Sequence, residues 1–440
     1  MKKTYIDTAM ERIAPDLILK GGNVVDVFSG RVIKADVIIK DGIICGVGSY
    51  SGENEQDVSG KYIMPGFIDS HVHIESSMTQ PSEYAKAVMP HGITTVIADP
   101  HEITNVCGED GLEFMLKSAK NIPLDVNLML PSCVPATPFE HTGANLDAKT
   151  TQKLAPKFFG IGEMMNYPGI VSGDDETLGK LCLDIIDGHA PLLSGHELDA
   201  YASAGIKTDH ECSVVEEMTE KISKGMYILL REGTLSLDVA KLIKVVTPYT
   251  LRRCAFCTDD RFVGEIVRDG SIDHCIRKAV SLGLNNIDAI IMATLNACEM
   301  YGMKNKGAIA PSYVADIVVA DDLNLSSISQ VYKNGKLVCE NGKALFECET
   351  VDNSKVTNTV HLPKISADFF KTDVKDKFDA IELIPESIIT KKVTVSYSDS
   401  LSKVCVIERH HNLGTKGIGF VTNYGITNGA IATSIGHAPQ

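Results

Sequence analysis

No apolar run in this sequence approaches the roughly 18 residues that a membrane-crossing helix needs, so no membrane partner is expected. Basic residues are in deficit: 42 Lys and Arg stand against 57 Asp and Glu, a formal net charge of -15. That balance argues against a nucleic-acid partner held through phosphates and against a polybasic membrane patch. It leaves a small neutral or cationic substrate open. The two N-terminal lysines have no apolar segment behind them, and no signal peptide is expected. The 12 cysteines form no paired framework; reduced thiols in the cytoplasm are the expectation. No internal repeat or low-complexity segment stands out. No G-x-G-x-x-G follows the first strand of the central region, which weakens a dinucleotide-binding reading.

What is present is an ordinary globular composition, 44 % hydrophobic and 22 % charged, over 440 residues. That length suits two or three domains. Residues 17–20, 23–27, 32–40 and 43–47 read as short strands, with Asp41-Gly42 as a hairpin turn. Residues 315–320 and 330–338 have the same texture, with Asn334-Gly335 and Asn341-Gly342 as further hairpin signals. The expectation is one composite β domain, residues 1–64 plus 305–350, interrupted by a second domain over 65–304. In that insert, strand-like stretches at 67–72, 93–98, 125–130, 159–162, 183–187, 205–208, 226–230 and 254–258 alternate with helical ones at 108–120, 213–224, 235–246 and 273–282. Eight such alternations predict an α/β fold, a closed (β/α)8 barrel, with an open doubly wound sheet as the alternative. Residues 350–374 read as a polar linker. Residues 375–440, with strands at 392–397 and 403–409, are thin for a domain and are expected to be an incomplete C-terminal α+β unit.

The chemistry is expected at the strand ends. Phe67–Val72 runs into His71-Val72-His73, and side chains two apart on a strand share a face. Two convergent imidazoles are half of a metal site; a lone His-x-His could equally be one core and one solvated histidine. The other strand ends change the balance. They deliver Asp99-Pro100-His101-Glu102, Ser132-Cys133, Glu163, His189, His210-Glu211, Arg231-Glu232 and Asp259-Asp260. In a barrel these residues converge on one rim. His71, His73, Glu163, His189, His210 and Asp259 give more donors than one tetrahedral zinc needs. They suit two divalent ions about 3.5–4 Å apart. Mixed carboxylate and imidazole ligands suit Mn2+ or Fe2+ as well as Zn2+. Cys254 and Cys257 are expected in the core rather than in a redox or zinc motif. Glu216, Glu217, Glu220 and Lys221 read as one solvated helix face. His141, His196, His274 and His361 lack a strand-end position and are not expected to be ligands; His410, His411 and His437 fall in the short last domain and are not expected to be ligands either, with a tail that reaches the barrel mouth as the alternative.

The stretches MPGFIDSHVHIESS, ADPHEITNVCG, LPSCVPAT, DGHAP, TDHE, TDDR, MATLNACEMYG and KGAIAPSYVADIVV, spanning about residues 16 to 340 in family order, resemble the adenine deaminase family of the amidohydrolase superfamily. The resemblance implies a binuclear metal centre, Mn2+ first, with adenine as substrate, hypoxanthine and ammonia as products, and a homo-oligomer in the cytoplasm. It implies that Glu163 moves a proton to the purine ring and also touches or bridges the metals, and that Asp259 orients the attacking hydroxide and protonates the departing amine. His101, Glu75, Glu102, Cys133 and Arg231 are substrate-binding candidates from their strand positions. Cyclic-amide amidohydrolases commonly present a carboxylated lysine at the end of strand four; here Glu163 stands there with no lysine adjacent. The zinc base deaminases with H-x-E and P-C-x-x-C are excluded, because Arg253 stands where the proline belongs. The family's His-Asp-Ser-His-Asn segment is not completed after Ile435-Gly436-His437, so truncation, and with it an inactive metal-binding homologue, is a further expectation.

Overall fold

The computed structural model describes residues 2–433 except 138, 375, 386–389 and 399. His437 lies outside the described residues. Eight parallel strands make the central unit: β1 Phe67–Val72, β2 Ile93–Ala98, β3 Asp125–Leu130, β4 Gly160–Met164, β5 Ile186–Gly188, β6 Thr208–Asp209, β7 Tyr227–Arg231 and β8 Cys254–Cys257. They form two runs, β1 to β5 and β6 to β8. Phe67 lies opposite Ile93, Thr95 opposite Asp125, Leu130 opposite Ile161, Ile161 opposite Ile186 and Ile228 opposite Cys254. Parallel strands covered on both faces carry unbroken apolar runs, and every residue of β1, β2 and β8 is buried. The runs meet at both edges. Val72 pairs with Asp259 just past β8, and Gly188 N–H donates to Thr208 Oγ1 at 3.0 Å between β5 and β6. The result is a (β/α)8 barrel.

Helices cover the outside. Ile272–Ser281 turns Ile272, Cys275, Ile276 and Ala279 inward, the spacing of one helical face. His101–Ser118 begins seven residues before its predicted start and runs through Gly108, which breaks the turn with φ 57° and ψ -133°. Strands β5 and β6 are shorter and lie further along than predicted. Gly205, expected in β6, has φ +93° and instead serves the turn after the helix Gly195–Ser203.

A mixed sheet sits beside the barrel. Its order is Lys343–Ala344, Lys336–Glu340, Ile328–Lys333, Ile317–Ala320, Tyr62–Pro65, Leu17–Asp26, Arg31–Lys40, Ile43–Gly48. Ile317 lies opposite Pro65, so segments before and after the barrel share one sheet. Leu17–Asp26 is a single strand where two were predicted, because a register shift between Leu19 and Gly22 bends it without ending it. Lys333 bonds Asp125 Oδ2 of β3 at 2.9 Å and both oxygens of Asp316 at 2.9 Å, tying barrel to sheet. Lys333→Met leaves the buried Asp316 with Lys306, at 3.1 Å, as its remaining ammonium, and a loss of about 1–3 kcal/mol is expected. A fall in the urea midpoint checks it; an unchanged midpoint refutes the tie.

Beyond the linker, Thr390–Val395, Phe378–Leu383, Lys416–Thr422 and Ser402–Ile407 form a separate four-stranded sheet. The outer two contain most of the strands predicted there. The central pair was missed, since Phe378–Leu383 mixes charged and apolar residues and Lys416–Thr422 carries two glycines. His411 of this unit donates from Nε2 to Thr142 O at 3.0 Å, in the loop after β3.

Candidate metal centre

Six of the predicted residues meet at the C-terminal mouth of the barrel. The His71 and His210 rings stack with centroids 4.0 Å apart, and the His189 and His210 centroids lie 5.3 Å apart. His73 Nε2 lies 3.1 Å from His71 Nε2, 3.3 Å from Glu163 Oε1 and 3.2 Å from Asp259 Oδ1. Glu163 Oε2 lies 2.7 Å from His189 Nδ1 and 3.1 Å from His210 Nε2. The Glu163 carboxylate therefore stands between two imidazole groups, one oxygen towards each. Within each of the sets His71, His73, Glu163; His71, His210, Asp259; and Glu163, His189, His210, one donor atom per residue lies within 4.8 Å of the others.

Each residue is placed by a local device. Glu163 is the penultimate residue of β4, where its N–H donates to Asp99 Oδ2 at 2.9 Å. A Cβ on Gly162 would come within 2.1 Å of that same oxygen, which is why glycine precedes the glutamate. A Cβ on Gly188 would meet Thr208 O at 2.1 Å, so glycine is equally required before His189. Asp259 adopts φ 56°, an uncommon left-handed conformation for a non-glycine residue. Its N–H donates to His71 O at 3.0 Å and its C=O accepts from His73 N–H at 3.1 Å. The strand bearing the two histidines thus fixes the aspartate, and backbone strain of this kind persists where surroundings over-determine it.

The donor set fits cations. His73 Nδ1–H donates to Asp99 O at 2.8 Å, which leaves Nε2 with its lone pair facing the carboxylates. Lone pairs so opposed need positive charge between them. Burial opposes a charged imidazole, yet Glu102, Asp259 and Glu163 hold the His73 pKa well above its ordinary value; Glu163 likewise raises His189 and His210. Burial also opposes a charged Glu163, but His189, His210 and His73 hold it well below the usual carboxylate range. Burial opposes a charged Asp259 too, and the His73 contact and Arg231 bring it low. Divalent cations would supply that positive charge in the same place.

The remaining predicted residues surround this core. His101 Nε2 lies 3.7 Å from Glu163 Oε1 and 3.4 Å from Glu102 Oε1. Glu102 Oε2 lies 3.6 Å from His73 Nδ1. Glu75 Oε1 accepts from Ile103 N–H at 3.3 Å. Cys133 Sγ accepts from Met165 N–H at 3.2 Å, against the backbone that follows Glu163. Arg231 is enclosed by carboxylates: it bonds Glu211, Asp238 Oδ2 at 3.2 Å and Asp259 Oδ2 at 2.9 Å.

Several contributors escaped the sequence reading. Asp187 Oδ2 stands 3.6 Å from His71 Nδ1 and accepts from Tyr301 O–H, while its Oδ1 accepts from Thr208 O–H at 2.8 Å. Asp69 accepts from Thr258 N–H at 3.0 Å, and burial pushes its carboxyl up to about 6. Asp260, which the strand-end reading does include, bonds Ser76 across the mouth. Period two would have found Asp69, which shares a strand face with His71 and His73. Glu217 and Lys221 correct the solvated-face expectation: they are 8 % and 0 % exposed. A charged pair four apart on a helix looks the same in sequence whether it faces water or a strand end.

A parallel barrel whose strand ends gather imidazoles around a shared carboxylate defines a hydrolase of the amidohydrolase class, and the amidohydrolase family pattern matches residues 62–338. The adenine deaminase C-terminal domain pattern matches residues 383–439. Adenine deaminase of Clostridium acetobutylicum is 46 % identical over 98 % of this chain and 79 % of its own length. Adenine deaminase 2 of Desulfotalea psychrophila is 44 % identical over 99 % of the chain and 79 % of its own length. The chain belongs to the adenine deaminase family. Among solved structures, an enamidase of the amidohydrolase superfamily has the same fold, with a TM-score of 0.57 at 19 % identity over 75 % of this chain and 97 % of its own. A beta-aspartyl dipeptidase from Fervidobacterium islandicum reaches 0.54 at 19 % identity over 76 % and 98 %.

Proposed function

We propose that this chain hydrolyses adenine to hypoxanthine and ammonia at the barrel mouth. The observation that carries the reading is the Glu163 carboxylate, 3.3 Å from His73 on one side and 2.7 Å from His189 on the other, in a chain of this family. His71, His73, Glu163 and Asp259 would hold one divalent cation, and Glu163, His189 and His210 a second. When bound, the cations lower the pKa of water towards neutrality. The mixed carboxylate and imidazole donors suit Mn2+, Fe2+ or Zn2+, and Mn2+ is put first on the family resemblance.

The chain's own residues move the protons. C6 of the aromatic ring resists attack until a neighbouring ring nitrogen is protonated. Glu163 takes one proton from the attacking water and delivers it to that nitrogen as the water oxygen bonds C6. Asp259 passes the oxygen's remaining proton to the amino group. The C6–N bond breaks, ammonia leaves and the carbonyl of hypoxanthine remains. His101, Glu75 and Glu102, on the side of the mouth near His73, would bind the purine. Cys133 and Arg231, grouped with them by strand position, contact the backbone after Glu163 and the Asp259 carboxylate respectively, which supports roles in holding those two groups.

Among the described residues no helix is long and apolar enough to cross a membrane. All 12 cysteines are free thiols, which supports a reducing, cytoplasmic setting. Assembly as a homo-oligomer is carried over from the family resemblance.

The test is direct. Purified chain loaded with Mn(II) is expected to release hypoxanthine and ammonia from adenine in equal amounts. Stripping with a chelator should abolish turnover and restored Mn(II) should return it. Absence of hypoxanthine from protein that holds about two cations per chain would refute the reading. The competing activity, opening of a cyclic amide, is disfavoured by Glu163 in place of a lysine and would appear as ring hydrolysis without ammonia.

A further inference from the structure

The barrel sheet is broken between β5 and β6, the two strands that lead into His189 and His210. Neighbouring strands elsewhere in the barrel are registered by backbone ladders or, between β8 and β1, by the bridge at Val72 and Asp259. At the break side chains take over: Thr208 Oγ1 accepts from Gly188 N–H at 3.0 Å and donates to Asp187 Oδ1 at 2.8 Å, and beyond the strand ends a buried ammonium joins the two loops. Lys221, on the helix Val215–Ser223 and with its side chain 0 % exposed, spends its three N–H donors on Ala190 O at 2.7 Å, Asp209 Oδ2 at 2.9 Å and Glu217 Oε1 at 2.8 Å. Asp209 Oδ1 in turn accepts from Ala190 N–H at 2.9 Å. The peptide groups of Ala190 are therefore gripped at both the N–H and the C=O by the Lys221–Asp209 pair. Ala190 directly follows His189, and Asp209 directly precedes His210. Glu217 extends the grip, accepting from Leu192 N–H at 2.7 Å and Ser213 N–H at 3.3 Å, in the loops after β5 and β6.

We propose that Lys221 is a positioning residue that fixes the separation of His189 and His210, and so sets the affinity of one half of the cation pair. That half is the one held by Glu163, His189 and His210. The other half depends on β1 and Asp259, whose mutual backbone bonds do not involve Lys221. Loss of the ammonium therefore unequally weakens the two halves. The inference rests on the two-cation reading above.

The experiment loads the full chain with Mn(II), removes free metal by gel filtration, and reads bound metal per chain together with the electron paramagnetic resonance spectrum. Two Mn(II) ions about 3.5–4 Å apart give an exchange-coupled signal, and a single ion does not. The unaltered chain is expected to retain about two equivalents with the coupled signal. Lys221→Met is expected to retain about one, with the coupled signal lost. Lys333→Met removes a buried ammonium far from the mouth; it is expected to lose stability but to keep both ions and the coupling. Lys221→Met that keeps both ions and the coupled signal overturns the proposal. If Lys221→Met does not fold, Lys221→Met combined with Asp209→Asn removes both buried charges of the pair, and the same two outcomes decide. An unaltered chain that retains fewer than two ions overturns the two-cation reading itself, and the inference with it.

Discussion

Replacing Glu163 by glutamine is expected to lower kcat for adenine by at least about a thousandfold and to reduce the bound metal below two equivalents. Two separate losses combine. An amide cannot take up and deliver a proton, and general acid–base catalysis by a positioned group contributes about 10²–10⁴-fold. The amide also offers one oxygen where the carboxylate offers two, and here both are in use: Oε1 faces His73 and Oε2 faces His189 and His210. A glutamine oxygen turned to one imidazole group turns the NH2 to the other. The substitution keeps the side chain's shape, but it removes a charge that His189, His210 and His73 hold ionised against the cost of burial, so part of the stability goes with it. Metal analysis and steady-state kinetics on the same preparation check both halves. More than a tenth of the original kcat with both ions still bound would remove Glu163 from the mechanism.

The rim around that carboxylate buries several more carboxyl groups, and burial pushes two of them, Asp69 and Asp99, up to about 6 and about 7. Asp69, Asp99, Asp187, Asp209, Glu163 and Asp259 are all 5 % exposed or less. Isolated, each would be costly in a barrel core. They are tolerated because almost every one has a fixed donor: Thr258 for Asp69, Glu163 N–H for Asp99, Tyr301 and Thr208 for Asp187, Lys221 for Asp209 and Arg231 for Asp259. Among the imidazoles, His73 is fixed by its bond to Asp99 O at 2.8 Å and His189 by its contact with Glu163 Oε2 at 2.7 Å, which lowers the ordering cost that ion binding must meet. A site assembled from eight strand ends thus depends less on its own loops than on the residues directly beneath them.

Much of this was legible in the sequence for two physical reasons. Period two on β1 places His71 and His73 together, and parallel strands deliver their C-terminal residues to one face. Those rules need no tertiary knowledge, and the structure brings all six strand-end residues to one mouth. What stayed hidden depends on packing between distant segments. Lys221 and Glu217 follow the spacing of a solvated ion pair, and only the seating of their helix against β5 and β6 buries them. Asp187 and Tyr301 lie 114 residues apart, and nothing local joins them. The short β5 and β6 were misplaced because two- and three-residue strands carry too little pattern to resist a neighbouring glycine turn. Arg231 is enclosed by three carboxylates, Glu211, Asp238 and Asp259, that stand on other segments 20, 7 and 28 residues away.

Asp259→Asn is expected to lower kcat by about a thousandfold while changing KM far less. The carboxylate is held on both sides. Oδ2 accepts from Arg231 at 2.9 Å, and Oδ1 faces His73 at 3.2 Å and His71 at 3.6 Å. An asparagine satisfies Arg231 only by giving it the amide oxygen, and its NH2 group then points at the imidazoles and the water position. A donor replaces an acceptor where a proton must be received, so the amine can no longer be protonated by this group. Binding of the purine should persist, because the residues proposed to hold it, Glu75, His101 and Glu102, lie on the other side of His73 and are untouched. A loss confined to kcat marks an interaction made in the transition state rather than in the substrate complex. The alternative outcome, a large rise in KM at unchanged kcat, would make Asp259 a substrate-binding group and return the final proton transfer to Glu163.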